Sequence, residues 1–302
     1  MNKLTGLKYI KSIFQGLTIL AALSVVTPAL AANVTTSTTK AKRSTAVPAS
    51  AQTSVAVASP AAPAKAWTLD LGIETYSNMM KEDSYERDAG TAFDVSAGYR
   101  FNKITSMRVG TALMKEHVGP ENTYFDNTTV SISFKSPLTQ DIAWINTIAG
   151  VLPTNRQMQD QMSYQGAARL GTKFAFNNLF WGSSASTAAQ MTRNFHEYEM
   201  TADGSYNMRN NAQFVLTYAL PLFSKLSLQT SYVYTIGWTY QDDTRNKFSV
   251  GADLGWEFTP AFSAYVGTSN EGNALKANGI DSNIEFFNDT TSIVKAGLSL
   301  SI

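Results

Sequence analysis

Residues 226–240 read Leu226-Ser-Leu-Gln-Thr-Ser-Tyr-Val-Tyr-Thr-Ile-Gly-Trp-Thr-Tyr240. Leu226, Leu228, Thr230, Tyr232, Tyr234, Ile236, Trp238 and Tyr240 fall on one face, and Ser227, Gln229, Ser231, Val233, Thr235, Gly237 and Thr239 on the other. A period of two is the signature of a β-strand, whose successive side chains point to opposite sides. Strands of soluble domains usually run about 5–6 residues. A strand of 15 residues with aromatics toward its ends calls for a thicker apolar layer. A bilayer supplies one: tilted strands of roughly 9–11 residues cross it, and aromatics collect at its two interfaces.

Composition narrows the alternatives. The chain has 302 residues, no cysteine and a formal net charge of +1. That charge hides a segregation: no acid precedes Asp70, whereas Lys3, Lys8, Lys11, Lys40, Lys42, Arg43 and Lys65 do. The remainder carries 17 basic against 23 acidic residues, a net charge of −6. An acidic body without a basic stripe disfavours nucleic acid as a partner. Without cysteine there are no disulfides or thiolate metal sites. Past the N-terminus no apolar run approaches the roughly 18 residues of a membrane helix, so a membrane location would require a barrel.

Residues 1–31 have the layout of a secretory signal peptide. Lys3, Lys8 and Lys11 precede an apolar stretch over residues 13–26, and Ala29-Leu30-Ala31 provides a small-residue cleavage site. The apolar stretch is too short for the alternative, an N-terminal membrane anchor. Residues 32–66 are almost wholly Ala, Ser, Thr, Val and Pro. Such a segment cannot bury enough apolar surface to offset its ordering entropy, which predicts a flexible tail on the periplasmic side. Lys40, Lys42 and Arg43 are read as solvated linker charges, with a contact to anionic cell-wall polymer or lipid headgroups as the sharper alternative.

Residues 67–302 form a series of alternating segments. Strands are expected near 67–76, 91–101, 104–114, 126–135, 140–152, 162–176, 179–191, 210–220, 225–240, 247–258, 261–269 and 290–302. Twelve is an even number, as a closed up-and-down barrel with both termini in the periplasm requires. The links alternate in length. Those at 102–103, 136–139, 177–178, 221–224 and 259–260 are short, while those at 77–90, 115–125, 153–161, 192–209, 241–246 and 270–289 are mostly longer. Short periplasmic turns and long outer loops belong to outer-membrane barrels, and a soluble sandwich has no reason to keep that alternation.

The last strand ends Ser-Ile-Val-Lys-Ala-Gly-Leu-Ser-Leu-Ser-Ile302, with Val294, Ala296, Leu298, Leu300 and Ile302 on one face. With it, residues 67–302 resemble bacterial outer-membrane β-barrel proteins of the porin type. The resemblance implies a place in the outer membrane, contact with its lipid and lipopolysaccharide, and delivery by the barrel-assembly machinery through the C-terminal strand. That signal usually ends in an aromatic, and here the last residue is Ile302.

Alternation also assigns the faces. Trp67, Leu69, Leu71 and Ile73 would meet lipid, as would Phe93, Val95, Ala97 and Tyr99; Phe214, Leu216, Tyr218 and Leu220; and Phe248, Val250, Ala252, Leu254 and Trp256. The opposite faces are small and polar, as a lumen is. They carry the one constellation with functional promise, a charge ladder of Asp70, Glu74, Asp94, Arg100, Arg108, Arg169, Lys173, Asp253, Glu257 and Lys295. In a twelve-membered ring the sixth strand, with Arg169 and Lys173, lies opposite the twelfth and its neighbours. Cations would then face acids across the lumen and select small polar solutes at a constriction. The competing reading pairs the acids and bases along the wall of a narrow, plugged barrel.

An enzyme is the least favoured reading. The two histidines, His117 and His196, fall in expected outer loops, and neither stands on an outward strand position beside a serine. His196 has Glu197 and Glu199 close in sequence, but loop neighbours make a weak acid-base or metal cluster. The acidic loops over residues 81–88 and 270–289 could bind divalent cations or a surface ligand, and solvation explains them equally well. No cofactor is expected, since no phosphate loop or metal-spaced histidine pair occurs. The expected function is a narrow, weakly selective pore for small hydrophilic solutes. A non-conducting structural or surface-binding barrel and an outer-membrane hydrolase are the alternatives.

Overall fold

A computed structural model describes residues 66–80, 84, 87–118, 122–276, 281–288 and 291–302. The expected signal peptide and nearly all of the expected tail lie outside these residues, as does part of each acidic loop. The described residues all belong to one compact unit spanning residues 52–302.

Thirteen strands follow one another: β1 (Trp67–Asn78), β2 (Ala89–Arg100), β3 (Thr105–Glu116), β4 (Thr123–Phe125), β5 (Thr128–Pro137), β6 (Ile142–Leu152), β7 (Tyr164–Phe176), β8 (Ser184–His196), β9 (Met208–Pro221), β10 (Leu226–Thr239), β11 (Thr244–Thr259), β12 (Phe262–Asn273) and β13 (Ile293–Ser301). All pairings are antiparallel, and β1 pairs with both β2 and β13, so the sheet closes on itself. The short β4 and the longer β5 both pair with β3 and form one stave interrupted at Asp126-Asn127. The barrel therefore has twelve staves, closed by the β1–β13 pairing.

The strands form where alternation places them, with two corrections. The seventh stave starts at Ser184 rather than 179, because Phe180–Gly182 makes a 3-10 turn in which Trp181 takes a left-handed φ of 55°. The expected loop at 192–209 is shorter, since β8 runs on to His196 and β9 begins at Met208. Three of the short links share one device. Asn102 Oδ1 accepts from the backbone N–H groups of Ile104 and Thr105, and the Thr139 and Thr259 hydroxyls serve Ile142 and Phe262 in the same way. A short polar side chain that closes its own turn fixes the register of the next strand.

The two faces are as the alternation implies. Outward residues such as Leu216 and Val266 are 53% and 56% exposed, while inward positions hold buried alanines such as Ala92, Ala112, Ala143 and Ala149. Phe248 is the exception. It points outward as expected, yet is only 4% exposed, and Asn270, Ala274 and Ser292 near it are buried too. The β12–β13 link covers them: Asn270 Nδ2 donates to the Glu285 carbonyl, Thr291 Oγ1 donates to Asn270 Oδ1, and the Asn283 N–H donates to the Ala274 carbonyl. The end of the outer wall that bears the long links is thus coated by protein at β11 and β12.

Candidate functional site

The lumen charges sort into engaged and unengaged groups, and the register of the sheet decides which is which. Asp253, Gly267 and Lys295 lie in one row across β11, β12 and β13. Lys295 Nζ stands 3.0 Å from Asp253 Oδ1 and donates to Oδ2 at 3.2 Å, spanning the intervening strand. The span exists because residue 267 is glycine: a Cβ there would sit 2.0 Å from Asp253 Oδ1. A second row joins Tyr265, Gly297 and Glu74. The Tyr265 ring lies across Gly297 and its hydroxyl donates to Glu74 Oε2 at 2.5 Å. Glu74 also lies 3.9 Å from Lys295, whose Nζ stands 5.6 Å from the centre of the Tyr265 ring. Lys295 is 4% exposed and Asp253 11%, so this is a buried ion cluster.

A second, wetter cluster sits on β1 to β3. Arg108 Nη2 donates to Asp70 Oδ2 at 2.7 Å and to Ser96 Oγ at 2.6 Å, with Ser96 on the strand between them. Asp70 Oδ1 accepts from Ser301 Oγ. Lys295 thus takes Glu74 and Asp253, while Asp70 goes to Arg108. Asp94 sits beside the open position left by Gly72. Arg100 and Glu257 are exposed near the end of the barrel with the short links.

Arg169 and Lys173 share the inward face of β7 with Gly171, which pairs with Thr147 and Gln190. No ion pair forms at either among the described residues, and Arg169 Nε is buried without a hydrogen-bond partner. In ring order β7 stands opposite β13. Of the acids expected to face these cations, Asp70, Glu74 and Asp253 are held by Lys295 and Arg108 on their own side of the wall.

The mouth at the end with the long links holds an element that alternation does not reveal. Residues 153–161 were expected as plain loop, but a helix, α1 (Arg156–Met162), occupies them. Asn155 caps it by accepting from the Met158 N–H, and Ser163 ends it with a left-handed φ of 51°. Met158 and Met162 pack on Val151, Tyr164 and Ala167, of which Val151 and Ala167 are inward residues of β6 and β7. The helix is pinned from two sides. Asn127 Nδ2 reaches the Met158 sulfur, and Asn207 Nδ2 donates to the Met162 carbonyl at 2.9 Å. Between β4 and β5, burial pushes the Asp126 carboxyl above the ordinary carboxylate range, against the opposing effect of hydrogen bonds from Asn127 and Asn155.

His196 ends β8 instead of lying in a loop, and its ring meets those of Tyr164 and Tyr240 edge-on. His117 Nε2 bonds Thr91 Oγ1 at 2.8 Å. Among the described residues no group of three or more His, Asp or Glu could hold a metal ion. Inward side chains outside the expected ladder include Tyr265, Lys135, Lys247 and Glu271. Parity would have found them, since each lies an even number of residues from an inward glycine, serine or acid on its own strand.

No protein-family model matches the chain, and no curated protein matches its sequence. Solved structures do match in fold. An outer-membrane channel of the COG4313 group from Pseudomonas putida F1 superposes with a TM-score of 0.58 at 12% identity, covering 80% of this chain and 97% of that one. The NanC porin superposes with a TM-score of 0.52 at 9% identity, covering 77% of this chain and 98% of that one. The chain has the twelve-stranded, closed antiparallel barrel fold of outer-membrane channels and porins.

Proposed function

We propose that the protein sits in the outer membrane as a narrow, weakly selective pore for small hydrophilic solutes. The short links and both chain termini lie on the periplasmic side, and the long links with α1 face the outside. Lipid and lipopolysaccharide contact the outer wall, and β13, ending at Ile302, carries the assembly signal. The observation that supports this reading is the imbalance on the lumen wall. Arg169 and Lys173 present positive charge on β7 with no ion pair among the described residues, while Asp70, Glu74 and Asp253 are engaged by cations of their own half. A fixed charge in a narrow lumen with low-dielectric walls biases which ions pass. The remaining ladder stiffens the wall. Chemistry on the solute is not part of this proposal.

Conductance of the refolded barrel in a planar bilayer tests it. Step conductance is expected, and converting Arg169 and Lys173 to Glu should move the reversal potential toward cation selectivity. An unmoved potential would reduce the two cations to wall packing. One observation favours a second reading: α1 is seated on inward residues at the mouth. If the barrel shows no conductance steps at high salt, it is a non-conducting barrel whose mouth is closed by that helix.

A further inference from the structure

The coated patch of the outer wall contains two hollows that the pore reading leaves without a role. One, of about 250 Å³, lies between the β12–β13 link and the wall and is lined by Phe248, Asn270, Asn283, Glu285, Asn288 and Thr291. Glu271 and Gly272 of β12 complete the lining, so amides, a hydroxyl and two acidic residues surround an aromatic floor, with no lysine or arginine among the lining residues. The other, of about 310 Å³, is lined by Leu216, Tyr218, Thr230, Tyr232 and Val250 on the outward faces of β9 to β11 and is flanked by Phe286 of the same link. It is apolar and open to the side. Thr230 is small between Leu228 and Tyr232 on β10, and it pairs with Ala252 of β11, also small, which leaves the space open.

The two hollows are ordered. Phe248 belongs to the polar one and Val250, the next outward residue of β11, to the apolar one. A strand rises about 3.3 Å per residue, so they are stacked within about 7 Å along the wall, with the polar hollow nearer the long links. Ile284, Phe286 and Phe287 are exposed on the segment that separates them from the surroundings. Exposed phenylalanines beside a lipid-facing wall belong in the interfacial layer rather than in water.

We infer that this patch is a binding site for one molecule of the outer-leaflet glycolipid, lipopolysaccharide. Its sugar hydroxyls enter the polar hollow and an acyl chain lies in the apolar one beside Phe286. The chemistry favours sugar over phosphate. The side-chain amides of Asn270, Asn283 and Asn288 each carry two N–H donors and a carbonyl acceptor, of which one donor is spent within the link and the wall, and Glu285 accepts, whereas a phosphate would meet Glu285 and Glu271 without a compensating cation among the lining residues. A polar group above an apolar one, in that order from the outside inward, matches an amphiphile of the outer leaflet. The inference rests on the proposed orientation, with the long links outward, but not on conduction.

Native mass spectrometry of the full chain in detergent, titrated separately with a short-chain lipopolysaccharide and with phosphatidylethanolamine, tests it. One glycolipid is expected to stay bound, and phosphatidylethanolamine to be lost under the same activation. Thr230→Trp fills the apolar hollow at a lipid-facing position where a large aromatic is tolerated, and Glu285→Arg reverses the charge that the β12–β13 link contributes to the polar hollow. Each should weaken glycolipid retention about tenfold or more, and Thr230→Trp should leave pore conductance unchanged. Equal retention of both lipids, retention undiminished in both variants, absence of bound glycolipid, or a second copy of the chain taking its place would each overturn the assignment. Conductance is read separately, so failure of the lipid site and failure of the pore reading are distinguishable.

Discussion

Asp253 on β11 reaches Lys295 on β13 across a whole intervening strand because Gly267, between them, has no side chain to block the path. The two residues are 42 positions apart in sequence and stand two strands apart in the sheet. Register, not proximity along the chain, makes the pair.

Gly267→Ala should break it. The added Cβ would meet Asp253 Oδ1 at 2.0 Å and the Ala252 carbonyl oxygen at 2.7 Å, and the latter is backbone that cannot swing away. Displacing Asp253 leaves Lys295 buried with the more distant Glu74. Removing one partner of a buried ion pair typically costs about 3–5 kcal/mol. A loss in that range is expected in the urea midpoint of reversible unfolding, and Asp253→Asn should reproduce most of it. A loss below about 1 kcal/mol in both variants would show that water reaches Lys295.

Arg108→Ala should behave differently although its ion pair is shorter. Arg108 is 52% exposed, so solvent screens its bond to Asp70, and exposed pairs contribute about 0–1 kcal/mol. The unfolding midpoint should scarcely move. Ion selectivity should shift toward cations, because Asp70 is then left uncompensated on the lumen wall.

Helix α1 should set the size of the mouth. Replacing residues 156–162 with Gly and Ser removes Met158 and Met162 from Val151 and Ala167. Single-channel conductance is then expected to rise several-fold. Unchanged conductance would place the narrowest point deeper, at Arg169 or Lys173.

The seating of that helix should depend on pH through Asp126. Its carboxyl is raised in the folded protein, chiefly by burial. A raised carboxylic acid favours folding below its unfolded pKa, about 3.9, and that contribution is lost as pH rises through the folded value. At neutral pH the buried carboxylate therefore opposes the fold. Asp126→Asn keeps an acceptor for the Asn127 N–H and removes the charge. It should raise the thermal midpoint at pH 7 and converge on the parent below about pH 3.9. A variant less stable than the parent at pH 7 would show that the hydrogen bonds outweigh the burial.

Much of the architecture is legible in local sequence. A strand repeats every two residues whatever it packs against, so residues 226–240 declare their length and their apolar face directly. Polar turn residues such as Asn102, Thr139 and Thr259 end strands by bonding to backbone two or three positions on, and that also is local. Strand count, facing and the long-short rhythm of the links follow from these. Helix α1 was not legible, because seven residues with two methionines carry too little periodicity to stand out from loop. Phe248 was legible as outward but not as covered, since its cover comes from a link about 30 positions further along the chain.

The charge ladder shows where that local reading stops. Parity alone places Asp70, Glu74, Asp253, Arg108, Arg169, Lys173 and Lys295 on the inner face, because each strand reports its own two sides. Which charges pair depends on the stagger between neighbouring strands and on which row holds a glycine. Only the closed barrel sets these, by fixing Gly267 beside Asp253 and Gly297 beside Tyr265. Lys295 is thereby engaged while Arg169 and Lys173 form no ion pair among the described residues, a difference that lies wholly in the tertiary structure.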